Sequence, residues 1–252
     1  MTTQTVKLLR REEVAEGTMS FYFEKPEGFQ FKPGQYLDCT LVDPPEIDAE
    51  GNIRSFSVAS APVEPHLMLS TRMRDTAFKR VFKKMPIGSP LSVEGPMGSF
   101  ALHNNASRTA IFIAGGIGIT PFRSMIVNAT RTDLANRIVL FYANRRPEDA
   151  TFLEELQKLE SENDSFQFIG VMTGMEKSKR TWNGKTGYID KAMLTRHIPD
   201  LQGPIYYVAG PPAMVSAIDS KPQGTARFSG QRNAISLLIC LHMSNFCATL
   251  VS

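Results

Sequence analysis

Four short segments of the 252-residue chain hold the residue types best suited to binding a phosphate-bearing ligand. Gly115-Gly116-Ile117-Gly118-Ile119-Thr120-Pro121 lies between an apolar run and a helical pattern. Glycines let a backbone approach a phosphate closely, and a helix N-terminus adds free N–H groups and a positive dipole end. Pro121 in the first turn gives up only an N–H that has no intrahelical partner. The spacing is not the dinucleotide G-x-G-x-x-G pattern, so this motif alone fits a tight turn with positive φ nearly as well. Gly210-Pro211-Pro212-Ala213-Met214 follows a second apolar run and is open to the same two readings. Arg54-Ser55-Phe56-Ser57 sets a cation, a ring and two hydroxyls on one extended segment. Strand alternation sends Arg54 and Phe56 to one face and Ser55 and Ser57 to the other. Glu94-Gly95-Pro96-Met97-Gly98-Ser99-Phe100 reads as a turn-rich segment.

Other chemistries find no support. His66, His103, His197 and His242 show no metal-ligand spacing and no H-E-x-x-H occurs, so no metal is expected. There is no G-x-S-x-G nucleophile turn. Cys39, Cys240 and Cys247 are too few for a disulfide framework or for the four thiolates of a ferredoxin-type cluster. With 28 Lys and Arg interspersed among 25 Asp and Glu, the net charge of +3 forms no nucleic-acid arm or polybasic membrane patch. The first residues lack an apolar core, so no secretory signal is expected and the protein is read as cytoplasmic. Arg123 is expected on a solvated helix face, and Trp182 as the anchor of a loop near Gly184 and Gly187.

These segments must be held by two kinds of scaffold. Residues 6–11, 18–24, 35–42, 55–59, 67–72 and 90–94 are short, partly alternating runs separated by Gly and Pro turns, the pattern of a small antiparallel barrel. A helix over 76–85 interrupts them, with Asp75 as its expected N-cap. After about residue 104, continuous apolar strands at 110–114, 138–143, 166–172 and 205–209 alternate with helices, as in a doubly wound parallel sheet. Both glycine turns then fall at the carboxyl edge of that sheet, where such folds bind ligands. The expected organisation is an antiparallel Greek-key barrel over 1–103, an α/β domain over 104–230, and an atypical apolar tail over 231–252.

In this order and at these separations, the four motifs resemble those of the ferredoxin–NADP reductase superfamily across about residues 5–215. The resemblance implies a flavin-binding barrel followed by a nicotinamide-dinucleotide domain, with the two rings meeting. It assigns Arg54 to the flavin phosphate, where a fixed guanidinium fork suits an oxyanion. Phe56, standing where the family commonly has Tyr, would contact the isoalloxazine. Ser55 belongs to the same flavin strand, and Ser57 would hydrogen-bond near flavin N5 as the catalytic position. Thr76 and the N–H groups opening its helix would hold flavin phosphate, and the segment from Gly95 to Phe100, Gly98 included, would shape the flavin edge. Gly115, Gly116, Gly118, Thr120 and Pro121 would cradle the dinucleotide pyrophosphate; Gly210, Pro211 and Pro212 would complete that edge, and Thr173 would line the nicotinamide path. Arg145 and Arg146 suggest a 2′-phosphate and hence NADPH over NADH, against a solvated loop paired with Glu148 or Asp149. FAD is favoured over FMN, no iron–sulfur cluster is implied, and electrons would leave to a separate acceptor such as a small redox protein or a haem protein.

The sequence departs from the family pattern in two further respects. Ala209 stands where many members carry Cys before Gly-Pro-Pro. Beyond Gly-Pro-Pro, Pro222 and Gly224 cut short the helix begun at 214–219, Phe228-Ser229-Gly230 echoes a terminal strand too early, and an apolar run begins at Ile235. That run extends about 17 residues, the lower limit for a membrane span, but Ser236, His242, Ser244 and Asn245 argue for a packed or aberrant tail instead. The leading expectation is a flavin-dependent NAD(P)H oxidoreductase. The alternative is a non-catalytic or degenerate flavoprotein whose nicotinamide site the tail has compromised.

Overall fold

The structure, a computed structural model, describes residues 2–219 and 236–241. The chain divides into two compact units, 1–101 with 120–128, and 102–119 with 129–252.

The first unit is a six-stranded antiparallel barrel. Its strands are β1 (Thr2–Ala15), β2 (Thr18–Glu24), β3 (Tyr36–Leu41), β4 (Ile53–Ser57), β5 (His66–Arg72) and β6 (Pro90–Met97), in the order β4-β3-β6-β1-β2-β5. The two end strands meet: Val58 bridges Leu69, and the Ala59 N–H donates to the Met68 carbonyl at 2.8 Å. Closure leaves no bare edge over that stretch, which removes a template for aggregation. Alternating residues face inward, so Leu37, Cys39 and Leu41 of β3 are buried while Asp38 and Thr40 are only partly so. Helix α1 (Ala77–Lys84) covers one end and inserts Phe78 and Phe82 among Phe21, Phe23 and Phe56. The Phe21 and Phe82 rings stack with centroids 3.9 Å apart. Thr76, not Asp75, is the N-cap; its hydroxyl accepts from the Lys79 N–H, and Asp75 instead pairs with Arg80. Both residues are good caps, and the helix begins one position later because Arg80 claims the Asp75 carboxylate.

The second unit is a parallel sheet. Its elements are β7 (Ala110–Gly115), α2 (Ile119–Arg131), β8 (Ile138–Asn144), α3 (Leu153–Glu162), β9 (Phe166–Met172), β10 (Lys185–Thr186), α4 (Lys191–His197), β11 (Ile205–Gly210), α5 (Pro212–Asp219) and β12 (Ser236–Leu241). The strand order is β10-β9-β8-β7-β11-β12. The strands expected from continuous apolar runs are all present, and β7 and β11 are buried at every position. β10 and α4 carry weak sequence signals, two exposed residues and one short helix, and were not foreseen. Residues 236–241 correct the reading of a tail foreign to the fold. They pair in register with β11, Ser236 with Ile205 through Leu241 with Gly210. A short continuous apolar run is the signature of a buried parallel strand, and only the long apolar stretch around it obscured that. The interruptions at Pro222 and Gly224, the Phe228-Ser229-Gly230 echo and residues 242–252 lie outside the described residues.

Arg123 also corrects an expectation. Far from facing solvent, it is buried in the first unit. It donates to the Ala59 carbonyl at 2.8 Å and grips the Glu64 carboxylate with both terminal nitrogens, at 2.8 and 3.0 Å. Glu64 in turn accepts from the Ala61 N–H at 2.6 Å, and the neighbouring Ser124 hydroxyl donates to the Ser60 carbonyl at 2.6 Å. The helical pattern put Arg123 one step off the apolar stripe, but the 59–64 loop folds over that side. Removing one member of a buried pair leaves the other charge uncompensated. Arg123→Ala is therefore expected to destabilise the protein by about 2–4 kcal/mol in urea unfolding. A loss no larger than that of the exposed control Arg10→Ala would refute the role.

Candidate functional site

The parallel sheet reverses its order at β7. From there the chain steps outward through β8, β9 and β10, then returns to place β11 on the other side of β7. This is the topological switch point at which open α/β sheets bind ligands beyond the carboxyl ends of their strands. The turns after β7 and β11 flank it, as expected.

Glycine is forced here by contact as well as by conformation. A Cβ on Gly118 would lie 2.4 Å from the Ala209 carbonyl oxygen, and one on Gly210 would lie 3.0 Å from the Gly115 nitrogen. Gly118 thus has a packing reason of its own, and Thr120 and Pro121 are buried with it rather than displayed. Gly116 differs: its φ is +52° and nothing lies within 4 Å of its missing side chain. It is the member of the turn whose surroundings leave room for a ligand. A single 3₁₀ turn over Gly116–Gly118 leads into α2, so the helix begins at Ile119 and Pro121 sits in its first turn. Pro211 and Pro212 are exposed at the start of α5.

The next strand end supplies the cations. Arg146 is committed to Asp149, Nε to Oδ2 at 3.0 Å and Nη2 to Oδ1 at 2.9 Å, so the bland reading of that residue holds. Arg145 is exposed and makes no ion pair among the described residues, while its carbonyl accepts from the Gly174 N–H. The Thr173 N–H and hydroxyl both donate to the Asn144 carbonyl. The Asn144 Nδ2 is buried at this edge without a hydrogen-bond partner among the described residues. Glu148 accepts from Ser178, Lys179 and Arg180 and ties down the 178–180 loop. Trp182 holds the next stretch: a Cβ on Gly170 would lie 2.6 Å from its ring, and its Nε1 donates to the Lys185 carbonyl at 2.9 Å.

His103 fixes the entry to β7. Its backbone N–H and Nδ1 both meet the Tyr207 hydroxyl at 2.9 Å, and Nε2 lies 2.9 Å from the Arg108 carbonyl. A carbonyl can only accept, so Nε2 carries the hydrogen. Burial pushes the Tyr207 phenol up to about 12.

In the barrel the expected flavin residues follow the alternation, with Arg54 and Phe56 both turned toward Phe78. Phe56 is buried, with ring centroids 5.8 Å from Phe78 and 5.7 Å from Phe82. Its ring is part of the aromatic cluster beneath α1, the inward position that alternation on β4 gives it. Ser55 donates to Asp38. Ser57 is buried at the end of β4, opposite Tyr36. Gly95 and Gly98 adopt φ of +140° and +92°, and side chains there would press on Leu37 and the Tyr36 ring. Arg54 lies on the Phe56 face, over the Phe78 ring at 5.4 Å, near the start of α1.

What the sequence reading missed is an acidic loop. Of Glu46, Asp48 and Glu50, between β3 and β4, the first two reach the basic start of α1 and the third reaches Arg54 on β4. The Ala77 N–H donates to Asp48 Oδ2 at 2.8 Å, and the Arg54 Nη2 lies 3.5 Å from Asp48 Oδ1 and 2.7 Å from Glu50 Oε2. Arg80 grips Glu46 through Nε and Nη2. The Ala77 N–H is the foremost influence lowering the Asp48 pKa, against the opposing effect of partial burial. Burial first, then the charges of Arg74 and Arg54, depress Lys79 to about 8. The signal was legible as acids at every second position from 46 to 50 after Pro44-Pro45.

The donor set at this corner, an arginine, a capping hydroxyl and a helix-opening N–H, fits a phosphate, and a carboxylate already lies among them. Among the described residues there is no cluster of His, Cys, Asp and Glu fit for a metal, and no helix is long and apolar enough to cross a membrane.

Comparison with known proteins gives this geometry a context. Residues 112–220 match the oxidoreductase NAD-binding domain family. The chain is 29% identical over 204 residues to the glycine betaine monooxygenase reductase subunit of Chromohalobacter salexigens, covering 80% of this chain and 54% of that protein. It is 28% identical over 196 residues to ferredoxin–NADP reductase B of Sorangium cellulosum, covering 76% of this chain and 75% of that one. A solved ferredoxin NADP+ reductase from Neisseria gonorrhoeae, with bound FAD and NADP, superposes with a TM-score of 0.72 at 20% identity, over 94% of this chain and 98% of that chain. The chain spans about half the length of several of the curated relatives it matches. A closed antiparallel barrel, a sheet reversed between two glycine turns and these likenesses agree: the chain has the ferredoxin–NADP reductase fold, and its residues 112–220 are similar to oxidoreductase NAD-binding domains.

Proposed function

We propose that the chain is a flavin-dependent NAD(P)H oxidoreductase that passes electrons to a separate acceptor. The observation that carries the reading is the pair of glycine turns flanking the order reversal between β7 and β11. Its relatives include reductase components of monooxygenases, which supports an acceptor of that kind, an oxygenase or a small redox or haem protein. A cytoplasmic setting, FAD rather than FMN, and the lack of an iron–sulfur cluster within this chain belong to the same proposal.

Bound flavin and nicotinamide would supply the hydride transfer and the onward release of electrons. The chain's own work is to bind and orient. Arg54 and the opening of α1 at Thr76 hold the flavin phosphate by charge and by N–H donation. Gly95 and Gly98 keep the flavin edge free of side chains, and Ser57 offers a hydroxyl toward N5. At the other site, Gly116 and the start of α2 take the dinucleotide pyrophosphate, beside Gly115 and the Gly210-Pro211-Pro212 turn. Arg145 takes a 2′-phosphate, and Thr173 and the amide of Asn144, which has no hydrogen-bond partner among the described residues, border the nicotinamide path. Arg146 is paired with Asp149, which leaves Arg145 as the better supported partner of the two. No side chain need act as nucleophile. The alternative of a degenerate flavoprotein rested on an irregular end to the second unit; the pairing of 236–241 with β11 supports the leading reading over it.

Anaerobic absorbance titration with NADPH and NADH in parallel tests the reading. Bleaching of the flavin, faster with NADPH, is expected; a yellow protein that neither donor bleaches would overturn it. Arg145→Ala is expected to raise the KM for NADPH about tenfold and to spare NADH, as for loss of one charge-assisted contact. Equal effects on both donors would rule out 2′-phosphate recognition. Arg54→Ala should release flavin on gel filtration, with affinity lowered about tenfold; full retention would remove Arg54 from the phosphate site.

A further inference from the structure

The loop at 43–52 between β3 and β4 is a strap of alternating acids laid across the basic start of α1. Asp48 takes the first N–H of the helix, at Ala77, and stands 3.5 Å from the Arg54 guanidinium. Glu50 holds the same guanidinium at 2.7 Å, while the Glu50, Gly51 and Ile53 carbonyls accept from its other terminal nitrogen. Glu46 fastens the strap further along the helix, on Arg80. Arg54 and the N–H groups opening α1 are the groups assigned above to the flavin phosphate. A carboxylate and a phosphate seek the same partners, an N–H at the positive end of a helix and a guanidinium fork. Both cannot hold them at once.

We propose that Asp48 is an internal competitor for the phosphate portion of the flavin nucleotide, so that flavin binds only when the strap yields these contacts. The inference rests on the flavin reading above and adds a residue that sets flavin affinity. Several features make displacement feasible. The strap lies outside the sheet, Asp48 and Glu50 keep 32% and 61% of their side-chain surface, and the nearby Ile47 is 60% exposed. The Arg74 and Lys79 charges also lie near Arg54, so an anion that takes the place of Asp48 meets further cations at this corner. Competition of this kind discriminates among ligands. It weakens flavins that carry phosphate and leaves riboflavin, which has none, unaffected. The flavin would therefore exchange more readily than in a chain without the strap.

The test uses Asp48→Asn, which keeps an acceptor oxygen for the Ala77 N–H and removes the charge, with Glu46→Gln as a control on the far side of the strap. Flavin fluorescence quenching on the flavin-stripped full chain gives dissociation constants for FAD and for riboflavin, and calorimetry gives that for inorganic pyrophosphate. Asp48→Asn is expected to tighten FAD and pyrophosphate about tenfold, as for removal of one charge-assisted rival contact, with riboflavin unchanged. FAD binding that is unchanged or weakened in Asp48→Asn overturns the competition and leaves the flavin site standing. Equal tightening of riboflavin does the same, since the effect would then not lie at the phosphate. Failure of the wild type and both variants to bind any flavin overturns this inference together with the reading it rests on.

Discussion

The close approach of two strand ends, β7 and β11, is the constraint on which the second unit turns. Parallel strands pair about 4.8 Å apart, so the turns that leave them compete for the same small volume. Here Gly115, Gly118 and Gly210 resolve the competition by having no side chains: a Cβ at Gly118 or Gly210 would strike backbone of the neighbouring turn. That contact lets the turn into α2 and the turn into α5 lie side by side at the order reversal of the sheet. It also leaves Gly116 as the one member of the turn with room around it. Glycine here serves first to let backbone meet backbone, and the open position is a consequence.

The barrel obeys a different economy, of charge. Its interior is aromatic, with Phe21, Phe23, Phe56, Phe78 and Phe82 packed around the helix that covers one end. Its polar corner joins Arg54, Arg80 and Lys79 to Glu46, Asp48 and Glu50. The exposed pair of Arg80 and Glu46 adds little to stability, because water screens it. The significance of the corner lies in geometry: carboxylates on a loop hold donors that would otherwise be open to another anion. The buried pair of Arg123 and Glu64 is the contrasting case. Both terminal guanidinium nitrogens reach the carboxylate and one also reaches the Ala59 carbonyl, so the arginine fixes the 59–64 loop that follows β4.

Much of the fold and part of the site were legible in the sequence. Alternating short runs separated by Gly and Pro turns marked the barrel, and continuous apolar runs marked the parallel strands, because burial on one face or two writes directly into the pattern. β2 and β9 fall at the residues the patterns indicate. The four motifs in order indicated both halves of the site, and the two glycine turns do share a sheet edge. The β10 and α4 elements were not legible, since two exposed residues and a seven-residue helix carry too little periodicity. The β12 strand was hidden by apolar residues around it, which made one strand look like a longer segment of another kind.

Roles within the motifs needed the tertiary structure. Sequence alone determined where chain direction, burial and turns must change, since those depend on neighbouring residues and on water. It could not determine which partner a polar side chain finds, because the competitors come from distant parts of the chain. Arg146 and Asp149 are close in sequence and their pairing was foreseen as one of two outcomes. Arg123 meets Glu64 across 59 positions, and Asp48 meets Ala77 across 29, and neither pairing leaves a local trace. Phe56 shows the same limit for an apolar group: its strand position was correct, and only the packing of α1 against β4 decided that its ring belongs to the core.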